Sequence, residues 1–294
     1  MSLSNTAMLV RLTVKYPSFS KTDLNVSQEV ADNKKANDNS VRVIKTLIDT
    51  KNHAYKAVKF CRGQAYNRFR DETAPWGDNG ERIIKASAYD RFTKEMREIK
   101  DNFDVAVEDF LKIYPTLVDQ APALLGDLFD ANLYPSVEDC RDLFSCEIEV
   151  RPVPEGDDFR VEMSASDKQK IVKQIESKNN ERLEQVTSDC FKRTHAVLER
   201  MINRLDNYNP EPNKDKGEKR NNFHDSLVEN VRDLVDILPG LNVANDPRLD
   251  DLVTKMGTRL VETNADQLKH DTAKRSEVAD HARDIMDQLN DFME

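Results

Sequence analysis

Between Ala86 and Pro115, apolar side chains fall at Phe92, Met96, Ile99, Phe103, Ala106, Phe110 and Ile113, alternately four and three residues apart. Only a helix returns such residues to one stripe. A seam of this spacing kept from 92 to 113 predicts coiled-coil-like packing against a partner helix. A second run, 166–208, places Ile171, Ile175, Leu183, Val186, Cys190, Val197, Met201 and Leu205 on one side. At roughly 1.5 Å per residue it is about 60 Å long, beyond an ordinary globular helix. Composition agrees: 33% of residues are charged, 7% are aromatic and only 8 are glycine, the balance of long helices with solvated faces.

Three segments alternate instead. Met8, Val10, Leu12 and Val14 face one way along 8–16, while Arg11, Thr13 and Lys15 face the other. Phe144, Cys146, Ile148 and Val150 repeat the pattern, as do Phe159, Val161 and Met163 after a Pro-Glu-Gly turn. The last two read as a hairpin by proximity. A lone hairpin is marginal in water, so the N-terminal run is expected beside it as a third strand. The expected fold is therefore mainly α: an elongated helical bundle with a coiled-coil-like stalk and a small, mostly antiparallel sheet.

The rest reads as helix and loop. Ile44, Ile48, Tyr55, Val58, Ala65 and Phe69 keep a three-four rhythm over 40–70. The run 207–222 carries two prolines, one glycine and no aliphatic residue, as a solvated loop does. Beyond it a helix over 223–238 ends at Leu-Pro-Gly. Another opens where Asp246 can cap and Pro247 can take the first turn, and a last helix carries Val278, Ile285, Leu289 and Phe292. The expected division is 1–165, a helical domain with a three-stranded sheet; 166–208, a long connecting helix; 209–221, a hinge; and 222–294, a C-terminal helical segment.

The sole tryptophan, Trp76, stands in Ala-Pro-Trp-Gly-Asp-Asn-Gly-Glu-Arg-Ile-Ile. Pro75 cannot continue a helix from Arg70, Gly77 and Gly80 permit positive φ, and Asp78 with Glu81 has capping-box-like spacing. The stretch is expected to join the helix ending near Arg70 to the heptad helix starting near Ile83. Trp76 would then seal the end of that pair; the functional reading has it stacking on a ligand.

Several activities lack their residues. No Gly-rich phosphate loop, Gly-x-Ser-x-Gly elbow or His-x-x-x-His helix occurs, so no catalytic, cofactor-binding or metal-ligating set is expected. Cys61, Cys140, Cys146 and Cys190 have no zinc-like spacing and read as structural thiols. Glu147 and Glu149 share a strand face as an acid/base pair would, but alternating charge on a wet strand has the same appearance. The net charge of -10 repels phosphate backbones. The best local exception is 51–70, where Lys51, Lys56, Lys59, Arg62, Arg68 and Arg70 interleave with Tyr55, Phe60, Tyr66 and Phe69. No run is long and apolar enough to span a membrane, and the first residues lack a basic and then apolar leader, so a cytoplasmic protein is expected.

Three stretches carry a resemblance: Leu-Val-Arg-Leu-Thr-Val-Lys-Tyr-Pro from Leu9, Ala-Pro-Trp-Gly-Asp-Asn-Gly from Ala74, and the region 125–161 with Tyr-Pro-Ser, Glu-Ile-Glu, Pro-Val-Pro and Asp-Phe-Arg-Val. Over its first two-thirds the chain resembles the DUF3150 family, phage and mobile-element proteins of unknown function. Such proteins are often encoded near MoxR/CobS-like AAA+ ATPases and von Willebrand factor A proteins. The resemblance implies an adaptor or partner of an ATPase machine and assigns no catalytic residue. Trp76 and Asp78 fall on its most recognisable motif.

The expectation is a non-enzymatic protein acting through protein–protein interaction, as a homo-oligomer or as an AAA+ partner. The candidate interaction residues are Trp76, Asp78, Lys56, Lys59, Arg62 and Arg68. Two alternatives stand beside it: a nucleic-acid contact through 51–70 in phage DNA metabolism, and an inhibitor of host defence whose acidic surface acts by mimicry.

Overall fold

The computed structural model describes residues 3–77, 79–156, 164–211 and 221–293. The chain is mainly α with minor β. Its described helices are α1 (Leu24–Lys34), α2 (His53–Asp71), α3 (Tyr89–Leu125), α4 (Val137–Arg141), α5 (Ala165–Asp206), α6 (Ser226–Leu241), α7 (Pro247–Arg259), α8 (Ala265–His270) and α9 (Thr272–Met293). The strands are β1 (Ala7–Lys15), β2 (Ser20–Asp23), β3 (Val43–Thr46), β4 (Ala74–Pro75), β5 (Arg82–Lys85) and β6 (Ser145–Pro152). One sheet has the order β4-β5-β1-β6; β2 and β3 form a second, two-stranded one.

The expected adjacency of the N-terminal strand and the 144–151 strand is present. The expected return strand with Phe159, Val161 and Met163 lies outside the described residues. Two strands were not anticipated. β5 pairs antiparallel with β1, Ala7 opposite Lys85 and Val10 opposite Arg82, and β4 pairs with β5. Residues 82–85 are therefore strand, not the start of the heptad helix, which begins at Tyr89. Ile83 and Ile84 are both fully buried, and adjacent buried residues point to opposite faces only in a strand covered on both sides. For the same reason Leu9 and Val10 are both buried, and β1 alternates as expected only from Arg11 onward.

Residues 40–52 also depart from helix. Val43–Thr46 pairs with Ser20–Asp23, Ile44 is 62% exposed, and α2 begins at His53. The three-four rhythm there was borrowed from a strand that happened to precede a helix in phase.

Contacts divide the chain into two compact units with boundaries other than those expected. The first comprises Met1–Arg11, Arg70–Phe92 and Val150–Glu294; the second, Leu12–Phe69 and Thr93–Glu149. The expected 1–165 domain contributes to both, because β1, α2, α3 and β6 each run from one unit into the other.

In the first unit α5 is a packing element, not a connector. It lies against α6 and α9, and α7 packs on both of those helices. Val186, Cys190, Leu198, Met201 and Leu205 enter the core, joined by Leu238, Leu252, Met256, Ile285 and Leu289. Its N-terminal half, with Ile171 and Ile175 only half-buried, is wetter. The expected hinge begins and ends in a bridge between Asn209 and Asn221; residues 212–220 are outside those described. Asp246 caps α7 as expected, accepting from the Arg248 amide at 2.9 Å, with Pro247 in the first turn. α6 does not stop at Leu238. It continues through Pro239 to Leu241, since Leu241 is wholly buried and Gly240 meets Ala88 so closely that a Cβ there would lie 2.6 Å from the alanine methyl. Buried Asn242 then staples the α6–α7 turn. Its amide donates to the Asp246 carbonyl and the Asp250 carboxylate, both at 2.9 Å, and its oxygen accepts the Asp246 amide at 2.7 Å.

In the second unit α3 buries Met96, Phe103, Ala106, Val107, Phe110, Leu111, Tyr114, Leu117 and Ala121. Ile99 and Ile113 of the expected seam are only half-buried. Met96, Phe103, Phe110 and Leu117 recur every seven residues as expected, while the second position of the seam shifts by one residue, from Phe92 and Ala106 to Val107, Tyr114 and Ala121. The helix therefore buries a stripe of four-three spacing, in a partly different register from the expected seam. It also passes through Pro115 to Leu125, beyond the expected end.

Candidate functional site

The turn around Trp76 is built from the carbonyl end of α2. Helices leave their last carbonyls unpaired, and here arginines take them. Arg82 Nη2 donates to Arg70 O at 3.1 Å and Thr73 O at 2.6 Å, and its Nε donates to Thr73 Oγ1 at 2.7 Å. Arg193 Nη1 donates to Asp71 O and Nη2 to Thr73 O, each at 3.0 Å, while its Nε pairs with Asp189 at 2.7 Å. Arg91 bridges the fully buried Glu72 carboxylate and the Asp236 carbonyl, both at 2.6 Å. Burial, with the Arg193 charge next, lowers the Arg82 pKa to about 10.

From this anchored segment the chain enters the β4–β5 hairpin. Trp76 N and Gly77 N both donate to Glu81 O, at 3.1 and 3.2 Å, and Gly80 takes φ +82°, which a glycine adopts without strain. The Pro-Trp-Gly stretch is thus a hairpin loop, not the expected link between two helices. Asp78, the other expected member of the motif, lies outside the described residues. Trp76 is buried, 3% exposed, within the first unit's core. It is buried in a hairpin loop of the first unit, where the expected setting was a link sealing the end of a helix pair, and Arg182 of α5 lies over its ring at 5.6 Å. Pro75, Trp76 and Gly77 form one wall of a pocket of about 320 Å³, and Lys178, Glu181, Arg182 and Gln185 form the other.

The second candidate surface is α2. Tyr55, Val58, Ala65 and Phe69 face the core of the second unit. Of the expected cations, Arg62 lies over the Tyr16 and Tyr66 rings at 5.6 and 5.2 Å, and Arg68 is paired with Glu95. Both are engaged in the fold. Lys56 and Lys59 are exposed, with no carboxylate partner among the described residues, and Phe60 beside them is 65% exposed. The structure brings Lys56, Lys59 and Phe60 together on one face and withdraws Tyr55 and Phe69 from it. Phe60 was not singled out from its neighbours by sequence, although its i, i+4 relation to Lys56 would have placed it opposite Val58 and Ala65.

Glu147 and Glu149 line an open pocket of about 760 Å³ with Arg97, Lys100, Thr13, Thr93 and buried Cys146. Both glutamates are exposed. Burial pushes the Cys140 and Cys146 thiols up to about 11 and Cys190 to about 12, which keeps them protonated and inert. Among the described residues no three His, Cys, Asp or Glu side chains converge as metal ligands would, and no helix is long and apolar enough to cross a membrane.

No protein-family model, curated protein or solved structure matches the chain.

Proposed function

We propose that this chain is a non-enzymatic binding protein that works through the outer face of α2, on an AAA+ ATPase partner or on further copies of itself. The observation that carries the proposal is Phe60, a large ring left exposed beside Lys56 and Lys59, which have no carboxylate partner among the described residues, on an otherwise well-anchored helix. Exposed aromatic side chains are enriched at the cores of protein interfaces, where a charged rim surrounds them. The resemblance to DUF3150 supplies the phage or mobile-element setting and the MoxR/CobS-like ATPase as the first partner to try. It rests on the three sequence stretches quoted above.

A second reading puts nucleic acid on the same face. Lys56, Lys59 and Phe60 form a cation–aromatic set, as single-strand binders use, within a chain of net charge -10. With Tyr55 and Phe69 in the core and Arg62 and Arg68 engaged, the stacking platform is reduced to one free ring. Electrophoretic mobility shift at low salt separates the readings. Protein binding predicts no shift of single- or double-stranded DNA and a complex with the ATPase in the presence of a non-hydrolysable ATP analogue. A DNA shift that weakens steeply with salt would replace the first reading by the second.

A further inference from the structure

The loop of the β4–β5 hairpin contains Asn79 followed by Gly80, the only Asn-Gly pair in the chain. Both residues are exposed. The side-chain amide carbon of an asparagine, Cγ, can be attacked by the backbone nitrogen of the next residue, closing a five-membered ring. A Cβ on that next residue obstructs the approach, and glycine has none. The loop adds to this pairing. Asn79 Oδ1 accepts the Glu81 amide at 3.3 Å, an Asx turn that folds the side-chain amide back over the Asn79–Gly80 peptide. The same N–H donates to the oxygen on which negative charge develops when Cγ is attacked. The Gly80 amide donates to no acceptor among the described residues, so it can lose its proton without first breaking such a bond. Pairing between β4 and β5 stops at Pro75 opposite Arg82, and Arg82 and Arg193 both hold the Thr73 carbonyl. Residues 79 and 80 lie outside that ladder, so the ring can close without opening it.

We propose that Asn79 is a site of spontaneous intramolecular modification, deamidation through a cyclic imide. Hydroxide removes the Gly80 amide proton and the nitrogen bonds to Asn79 Cγ. The bond from Cγ to the side-chain nitrogen then breaks, and ammonia leaves with a proton taken from water. A second water opens the imide at either carbonyl. One opening leaves aspartate at position 79. The other leaves isoaspartate, whose main chain runs through Cγ and is longer by one methylene. Nothing is oxidised or reduced, and the only co-reactant is water. Both products place a carboxylate next to Glu81 where the unmodified loop carries a neutral amide. The site is separate from the α2 face and its test does not depend on that reading.

The full chain is incubated, folded, at physiological temperature and mildly alkaline pH and then cut with trypsin, which releases 71–82 as one peptide between Arg70 and Arg82. Mass spectrometry reads the exchange of amide for acid, and electron-transfer fragmentation separates isoaspartate from aspartate. We expect this peptide to convert ahead of every other asparagine peptide, to yield both isomers, and to slow in proportion to hydroxide as pH is lowered. Asn79→Gln, which would need a six-membered ring, should abolish conversion at this position over the same period. Gly80→Ala, checked for unchanged helicity, should slow it about tenfold or more, since the new Cβ stands beside the attacking nitrogen. Earlier conversion of a different asparagine would overturn the proposal. So would aspartate formed without isoaspartate, or an Asn79 that converts only when the chain is unfolded in urea.

Discussion

The second unit is closed by rings and the first by aliphatic chains, and the two interiors are tied to their loops by different chemistry. Phe110 sits among Phe19, Tyr55, Tyr114 and Phe144, with ring centroids 5.5 to 5.8 Å away. The tyrosines in that nest reach outward with their hydroxyls, Tyr55 to Pro17 O at 3.0 Å and Tyr114 to Pro135 O at 3.2 Å; outside it, Tyr134 reaches Leu47 O at 2.7 Å. One side chain there both fills the core and staples a loop. Phe19 even holds a left-handed backbone, φ 46°, which an L-residue adopts only when its surroundings enforce it. In the first unit most of the packing residues are aliphatic, and separate groups, namely Arg82, Arg91, Arg193 and Asn242, tie down the loops. The lesson is that loss of one ring should disturb fold and loop together, whereas the first unit's packing and anchoring are separable.

Four substitutions test this, from the largest effect down. Phe110→Ala should cost about 3–5 kcal/mol and erase much of the tyrosine near-ultraviolet dichroism, because the ring is the hub of the nest. If chemical denaturation shows a loss under 1 kcal/mol, the nest is not what closes that unit. Glu72→Ala removes the carboxylate from Arg91 beneath the hairpin. With Arg91 about a third exposed, the cost should be about 2–3 kcal/mol, below that of a fully buried pair. Trp76 emission should shift to the red while tyrosine dichroism changes less. Gly240→Ala should cost about 1–3 kcal/mol by driving a methyl onto Ala88, and adding Ala88→Gly should recover part of it.

The smallest effect is conditional on pH. Asp23 caps α1, accepting from Val26 N at 3.2 Å, and pairs with Lys45 at 3.0 Å. The backbone bond first and Lys45 second hold its carboxyl below the usual 3.8. A lowered folded pKa stabilises above the unfolded value, and the contribution is lost as pH falls from about 3.8 through the folded value. Asp23→Asn should therefore lower the thermal midpoint at pH 7 and leave it near wild type at pH 2. An equal deficit at both values would assign the loss to packing.

The same contrast explains what could be read from residues alone. The α5 stripe from Val186 to Leu205, the Asp246 cap and the β1–β6 adjacency all follow from local rhythm or capping chemistry, and all are present. Long-range pairing was illegible. Val43–Thr46 and Arg82–Lys85 are strands only because Ser20–Asp23 and Ala7–Val10 lie alongside them, and no rhythm within four residues reports that. The expected seam in α3 matched the buried stripe at Phe92, Met96, Phe103, Ala106 and Phe110; beyond that the four-three spacing continues, with Tyr114 buried in place of Ile113. At the candidate surfaces, residue type located the basic face of α2. It could not show that Arg62 and Arg68 are engaged by Tyr66 and Glu95 while Lys56 and Lys59 have no carboxylate partner among the described residues.

The α2 face is the claim to test most directly. Wild type and the variant Lys56→Glu, Lys59→Glu, Phe60→Ala would be compared by light-scattering mass and by binding to a MoxR/CobS-like AAA+ ATPase of the kind proposed above, with a non-hydrolysable ATP analogue. The proposed function predicts a defined oligomer or an ATPase complex for wild type, lost in the variant, with stability unchanged within about 0.5 kcal/mol for surface positions. A wild-type monomer that binds no ATPase, or a variant that assembles as wild type does, would contradict it.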